Sequence, residues 1–300
     1  MKMNATSWKL GMSSCGRILD EKTLESYAEN GVKAMEVSPS NEQLKTLDFK
    51  LLRTLADKYG VELWSYHLPF MPFEKLNIAS LNKELVMYTT SVLTELIKRA
   101  GDVGIKIAVI HPSGEPNKTE EREELLKLSA NSLAYLGDVA HSSGMTLAVE
   151  DLPRTCLGNC SSDIERLIAN NDKLRVAFDT NHLLIEKNED FIKKLGSIIV
   201  TLHVSDYDFR NERHWLPYEG KNNWVDIVTL LEEAGYGGPF MYEISPKTPD
   251  SIIRGRDLEF SDFVENYKAC VEKRPIAPLG TPNEKACANN SYFKEPVIKY

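Results

Sequence analysis

The 300-residue chain has no apolar run near the roughly 18 residues needed to cross a bilayer, so no membrane helix is expected. Its first residues, MKMNATSWKLGMSSCG, lack the apolar core of a signal peptide, and a cytoplasmic protein is the expectation. Cysteine is scarce: Cys15, Cys156, Cys160, Cys270 and Cys287 are scattered and odd in number, which argues against a disulfide framework and for free thiols in a reducing compartment. The CxxxC spacing of Cys156 and Cys160 has no second pair to complete a zinc site. Basic residues are outnumbered, 36 Lys and Arg against 44 Asp and Glu, and the net charge of −8 argues against nucleic acid as a partner. The dinucleotide turn GxGxxG is missing as well; GMSSCG is a poor match to it. No organic cofactor is therefore expected.

What the chain does have is alternation. Strands are predicted at 10–13, 34–38, 61–67, 105–111, 146–150, 174–179, 198–203 and 239–244, from short apolar, often β-branched runs. Helices are predicted at 20–30, 42–59, 78–100, 120–141, 163–169, 190–195, 224–234 and 260–271, several of them closed by glycines such as Gly31, Gly60 and Gly235. Eight strand-then-helix units with no domain-sized break predict parallel strands and helical crossovers: an α/β protein, a (β/α)8 TIM barrel over residues 1–273. An open doubly wound sheet competes, but it usually carries the missing glycine-rich turn. Residues 274–300 are rich in proline and asparagine and read as an irregular C-terminal tail. Such a tail lies on the barrel, is disordered, or packs across a neighbour in a homo-oligomer.

In such a barrel, chemistry collects at the C-terminal ends of the strands. Those ends hold Glu36, His67, His111, Glu150, Asp179 with His182, His203 with Asp206, and Glu243, and five of the six histidines sit there. Any one of them alone is a hydrogen-bonded histidine or a capping acid. Gathered at one mouth, they would each cost on the order of several kcal/mol to bury unless something paired them. A divalent ion (Mn, Co, Mg or Zn) does so, and His, Asp and Glu are ligands it accepts. The stretch 198–220 concentrates the pattern: a buried-strand run, then His203, Asp206, Asp208, Glu212, Arg213 and His214.

Six segments carry a resemblance, in order along the chain: VIHPSG at 109–114, VEDLP at 149–153, AFDTNH at 177–182, LHVSD at 202–206, ERHWLPYEG at 212–220 and YEIS at 242–245. They resemble the xylose isomerase-like barrel superfamily, which includes sugar isomerases and epimerases and the endonuclease IV type of apurinic endonuclease. The resemblance implies one divalent metal ion on Glu150, Asp179, His203 and Glu243, with Glu150 and Glu243 also acting as acid–base groups. It implies substrate contacts from His182 and Arg213. The endonuclease branch uses three zinc ions, and His67, His111 and the Glu212-Arg-His214 run occupy the places of its additional ligands, with Glu212 where an aspartate is expected. ERHWLPYEG also resembles an HxxPGEG turn in which Tyr218 replaces the first glycine.

The expected function is a metal-dependent isomerase or epimerase of a small sugar or polyol-derived substrate, working through an enediolate. His67, His111 and His214 serve there as pocket residues, and Trp64, with Trp8, Phe70 and Trp215, as an apolar wall. The alternatives are a multi-zinc phosphodiesterase, a metal-dependent hydrolase or lyase, and a non-catalytic binder. No lysine–glycine phosphate cradle stands out, so an unphosphorylated ligand is expected.

Overall fold

Parallel strands with helical crossovers are what the computed structural model contains; it describes residues 4–298. The strands are β1 (Leu10–Ser13), β2 (Ala34–Val37), β3 (Glu62–His67), β4 (Ile107–Ile110), β5 (Thr146–Glu150), β6 (Arg175–Asp179), β7 (Ile199–His203) and β8 (Phe240–Tyr242). The helices between and after them are α1 (Glu21–Glu29), α2 (Asn41–Thr46), α3 (Phe49–Tyr59), α4 (Lys83–Asp102), α5 (Arg122–Ser142), α6 (Ser161–Ile168), α7 (Asn188–Leu195), α8 (Trp224–Ala234) and α9 (Phe260–Val271). Hydrogen-bonded neighbours run β7-β6-β5-β4-β3-β2-β1-β8. A single parallel bridge, Val204 to Tyr242, joins the two ends. The result is a nearly closed TIM barrel.

Helix ends follow their caps. The expected helix over 42–59 is two helices, because Asp48 accepts the N–H groups of Lys50 and Leu51 and so starts α3 afresh. The helix expected from 78 begins at Lys83, where Asn82 accepts from Glu84 and Leu85. Left-handed Gly60 and Gly235 end α3 and α8.

Most of the core lies between the strands and the surrounding helices. Inside the barrel, Ile107, Val109, Ala148 and Ala177 form a separate plug, against which Trp64 and Val200 pack. The pairing explains why. The register of β2 with β3 slips between Met35↔Leu63 and Glu36↔Ser65, leaving Trp64 as an extra residue. The register of β6 with β7 slips in the same way around Val200. Each bulge re-aims its side chain, so the Trp64 indole fills the barrel interior and donates to Thr201 Oγ1 at 3.2 Å.

Residues 274–298 of the segment expected as an irregular tail lie against the barrel and include two short elements. Strand β10 (Gly280–Pro282) pairs antiparallel with β9 (Ile252–Arg254), and α10 (Glu284–Asn289) follows. Cys287 is buried with Trp215 and Ile252, and Ile298 with Leu184, Tyr207 and Phe209. Among the described residues no helix is long and apolar enough to cross a membrane. All five cysteines are unpaired.

Candidate active site and metal centre

Along a strand, alternate residues share a face, so the interior positions Ala148 and Ala177 are followed by Glu150 and Asp179 at the barrel mouth. His203 ends β7 and Glu243 follows β8. The four meet: one donor atom from each of Glu150, Asp179, His203 and Glu243 lies within 4.8 Å of the others. His203 Nδ1 is 2.9 Å from Glu150 Oε1, 3.5 Å from Glu243 Oε2 and 3.9 Å from Asp179 Oδ2. Its other nitrogen, Nε2, is 2.9 Å from Glu36 Oε2.

The buried Glu36 is itself fixed by the hydroxyls of Ser13 at 3.1 Å and Ser65 at 2.9 Å. A carboxylate behind an imidazole holds the ring in one orientation for a ligand on its far side. Sequence reasoning placed Glu36 at a strand end but gave it no role.

The donor set suits a metal ion by its own chemistry. Three carboxylates converge on one imidazole nitrogen, and buried Asp179 Oδ2 has no hydrogen-bond partner among the described residues. Oxygen and imidazole donors of this kind suit a divalent first-row ion or magnesium, so the residues fit the group. The charges of these side chains lean on one another. Burial opposes the His203 imidazolium, but Glu36, Glu243 and Glu150 outweigh it and hold its pKa well above the usual histidine value. Burial pushes Asp179 up to about 6. Burial also raises Glu243, helped by the Glu150 and Asp179 charges.

The remaining expected residues divide sharply. His67 Nε2 and His111 Nε2 approach Glu150 Oε2 at 3.2 and 3.1 Å, and Phe70 stacks on His111 with ring centroids 3.9 Å apart. His182 donates from Nδ1 to the Asp151 carbonyl at 2.8 Å, which leaves Nε2 3.5 Å from Asp179 Oδ2 and 3.4 Å from Glu212 Oε2. His214 Nδ1 is 3.2 Å from the Glu243 carbonyl. All four imidazoles line one cavity of approximately 490 Å³ with Glu150 and Glu243, and Phe70, Met71, Phe73, Leu152 and Pro153 form its apolar wall.

Two expected substrate contacts are absent from that cavity, and both are corrections. Arg213 is turned away: its guanidinium, 2% exposed, pairs with Asp208 at 2.9 Å and donates to the carbonyls of Asn290 and Cys287. Trp64 plugs the barrel interior because of the β3 bulge. Trp8 packs edge-on against Tyr236 and Trp215 lies with Cys287, so Phe70 alone of the four proposed aromatics lines the cavity. Asp206 is structural: it accepts from Tyr207, Tyr218, Asn222 and Trp224 and so shapes the loop after β7.

Arg154 was missed altogether. It follows the VEDLP run, takes a left-handed backbone with φ 52°, and pairs with Glu115 and with Glu212 Oε1, the latter at 2.7 Å. His214, at φ 52°, and Tyr218, at φ 74°, are left-handed too. Such backbone costs of order 1–3 kcal/mol per residue and clusters at functional sites. Tyr218 thus stands where a glycine would be unstrained, held by its N–H bond to Asp206 at 2.9 Å. Two residues on, a Cβ at Gly220 would sit 2.5 Å from the Tyr207 backbone, so no side chain fits there.

Comparison with known proteins agrees with the barrel fold. A family model described as a xylose isomerase-like TIM barrel matches residues 24–260. The uncharacterized protein MJ1311 of Methanocaldococcus jannaschii is 26% identical over 279 residues, covering 88% of this chain and 93% of the relative. A D-tagatose 3-epimerase-like protein superposes with a TM-score of 0.74 at 24% identity, covering 88% of this chain and 98% of that one. A D-psicose 3-epimerase in the presence of D-fructose gives 0.70 at 17% identity, covering 88% and 97%. At these identities the superpositions establish a shared fold.

Proposed function

Because the chain belongs to the xylose isomerase-like TIM barrel family, we propose that it is a divalent-metal-dependent isomerase or epimerase of an unphosphorylated sugar. The observation that carries this reading is the convergence of Glu150, Asp179, His203 and Glu243, two of which, Glu150 and Glu243, line a cavity large enough for a small ligand. These four residues would hold one ion. Such an ion supplies Lewis acidity, polarising a carbonyl so that the neighbouring C–H becomes acidic.

The protein's own groups do the rest. Glu150 ends β5 and Glu243 follows β8, so their carboxylates reach the cavity from separate staves of the barrel. One removes the proton beside the carbonyl and the other returns it, at the opposite face for epimerisation or at the adjacent carbon for isomerisation. Phe70 and Phe73 offer a face for the C–H side of a sugar. His182, its ring held by the Nδ1 bond to the Asp151 carbonyl, lines the cavity with Nε2 between Asp179 and Glu212, where it would meet ligand oxygens. Among the described residues Arg154 is the sole lysine or arginine lining this cavity, and Glu115 and Glu212 already neutralise it, which disfavours a phosphate ester.

His182→Ala is therefore expected to leave metal content unchanged while raising KM about 10-fold or more, the loss of a charge-assisted hydrogen bond. Metal analysis of the purified variant beside its kinetics checks this; loss of the ion would make His182 a ligand.

Two further donor groups favour a second reading, a multi-zinc phosphodiesterase: His67–Glu150–His203 and His182–Glu212–His214. Against it stands the charge, −8 overall, with no unpaired cation in the cavity to attract a polyanion. The deciding experiment is elemental analysis of protein purified without chelator, paired with ketose conversion and nicking of an abasic duplex. About one ion per chain, ketose conversion and no nicking are expected. Three zinc ions with strand cleavage would install the second reading in its place.

A further inference from the structure

Beyond Arg154, the cavity over Glu150 and Glu243 has a neighbour. A second hollow, of approximately 420 Å³, lies on the far side, lined by Arg154, Asn211, Glu212, Asn289, Asn290, Ser291 and Tyr292. Arg154 and Glu212 line both spaces, so their ion pair is the boundary the two share. The outer wall comes from the C-terminal segment, which lies beyond the residues 24–260 matched to the family.

That wall is built, not draped. Arg213 donates to the carbonyls of Asn290 at 2.9 Å and Cys287 at 3.2 Å, and to Ser291 Oγ at 3.2 Å. Asn211 Nδ2 donates to the Asn290 carbonyl at 3.1 Å, and the N–H groups of Tyr292 and Phe293 both donate to the Arg210 carbonyl. Apart from the bond to Ser291 Oγ, these bonds use backbone groups of the segment. Asn289, Asn290 and Tyr292 are themselves exposed, so their side-chain polar groups are open to a ligand.

The chemistry of the two spaces differs in a telling way. The inner cavity has carboxylates, imidazoles and an apolar wall. The outer one offers carboxamides, which both donate and accept, an aromatic ring with a hydroxyl, and an arginine whose charge Glu115 and Glu212 offset. A polyanion would need free cations there, and a lipid tail would need an apolar lining. A neutral, hydroxyl-rich group matches both the donors and the acceptors. We propose that this second hollow is a subsite for a further sugar ring, so that the substrate is a glycoside or disaccharide whose ketose unit lies over Glu150 and Glu243. The proposal rests on the sugar reading above and names its substrate class.

Calorimetric titration of the full chain supplied with Mn²⁺ tests it, using D-fructose and a set of reducing glucosyl-fructose disaccharides as probes. At least one disaccharide is expected to bind 10-fold or more tighter than fructose. Asn290→Trp, which fills the hollow with an exposed side chain, is expected to lower the disaccharide-to-fructose affinity ratio by 10-fold or more, and Asn289→Trp repeats the test at a neighbouring position. Thermal melts confirm that both variants are folded. Fructose binding with no gain from a second ring, or a ratio unmoved by both variants, overturns the subsite and leaves the sugar reading standing. Binding of neither class overturns both.

Discussion

Replacing Glu150 or Glu243 with glutamine is expected to lower kcat/KM by about 10³-fold with the fold intact, within the range that positioned acid–base groups contribute. Glutamine keeps the shape and one carbonyl oxygen but cannot take up a proton from carbon. Both carboxylates also belong to the four-residue donor group, so each variant is expected to bind the ion more weakly. The two effects separate on titration: added metal restores occupancy, and turnover stays low. Glu150 is the more entangled of the two, since His67, His111 and His203 all lie within 3.2 Å of it. Its replacement is expected to disturb the neighbouring imidazoles as well, whereas Glu243→Gln reports more cleanly on proton transfer. Activity within a few-fold of the parent in either variant, at saturating metal, would sink the two-base mechanism.

Arg213→Ala is expected to cost about 3 kcal/mol of stability, the scale for breaking a buried ion pair. The change leaves Asp208, whose side chain is 7% exposed, with only the longer ion-pair contact to Arg210 at 3.4 Å. It also removes the Arg213 bonds to the carbonyls of Cys287 and Asn290, which help to seat the C-terminal segment. The pH dependence has a definite sign. Although burial opposes ionisation, Arg213 and the N–H groups of Arg210 and Asn211 hold the Asp208 carboxyl below its ordinary value of 3.8. The stability this supplies is present above that ordinary value and is lost as pH falls through the lower, folded-state one. Parent protein should therefore lose stability below about pH 4, and the variant should lose less. Arg213→Lys restores a charge without the planar fork and is expected to recover only part of the loss. Denaturant melts at neutral and acid pH check both points; a variant as stable as the parent would show that the C-terminal segment is held elsewhere.

Arg213 also marks where the sequence stopped being readable. Strand ends were legible because an alternating run followed by a histidine or carboxylate fixes both the face and the end of the barrel. Glu150, Asp179, His203, Glu243, His67 and His111 all meet where that logic put them. Arg213 and His214 are neighbours in a loop, and nothing local says which of them turns inward. The answer depends on Asp208 and on carbonyls more than 70 residues further along the chain. Trp64 failed for another reason: one extra residue in β3 shifts the face that a period of two predicts. Arg154 had no periodic signal, only its place after a strand-end motif. Glu36 had the right signal, but its role behind His203 is a matter of which nitrogen it meets.

The measurement closest to the central claim is conversion of a ketose in D₂O at saturating metal, followed by mass spectrometry and NMR of both sugars. If Glu150 and Glu243 work as a pair, one takes the substrate hydrogen and the other delivers a solvent-derived one. The product should then carry a deuterium at the carbon beside the carbonyl, while unreacted sugar remains unlabelled at early times. Product that forms while keeping the substrate's own hydrogen would contradict the account.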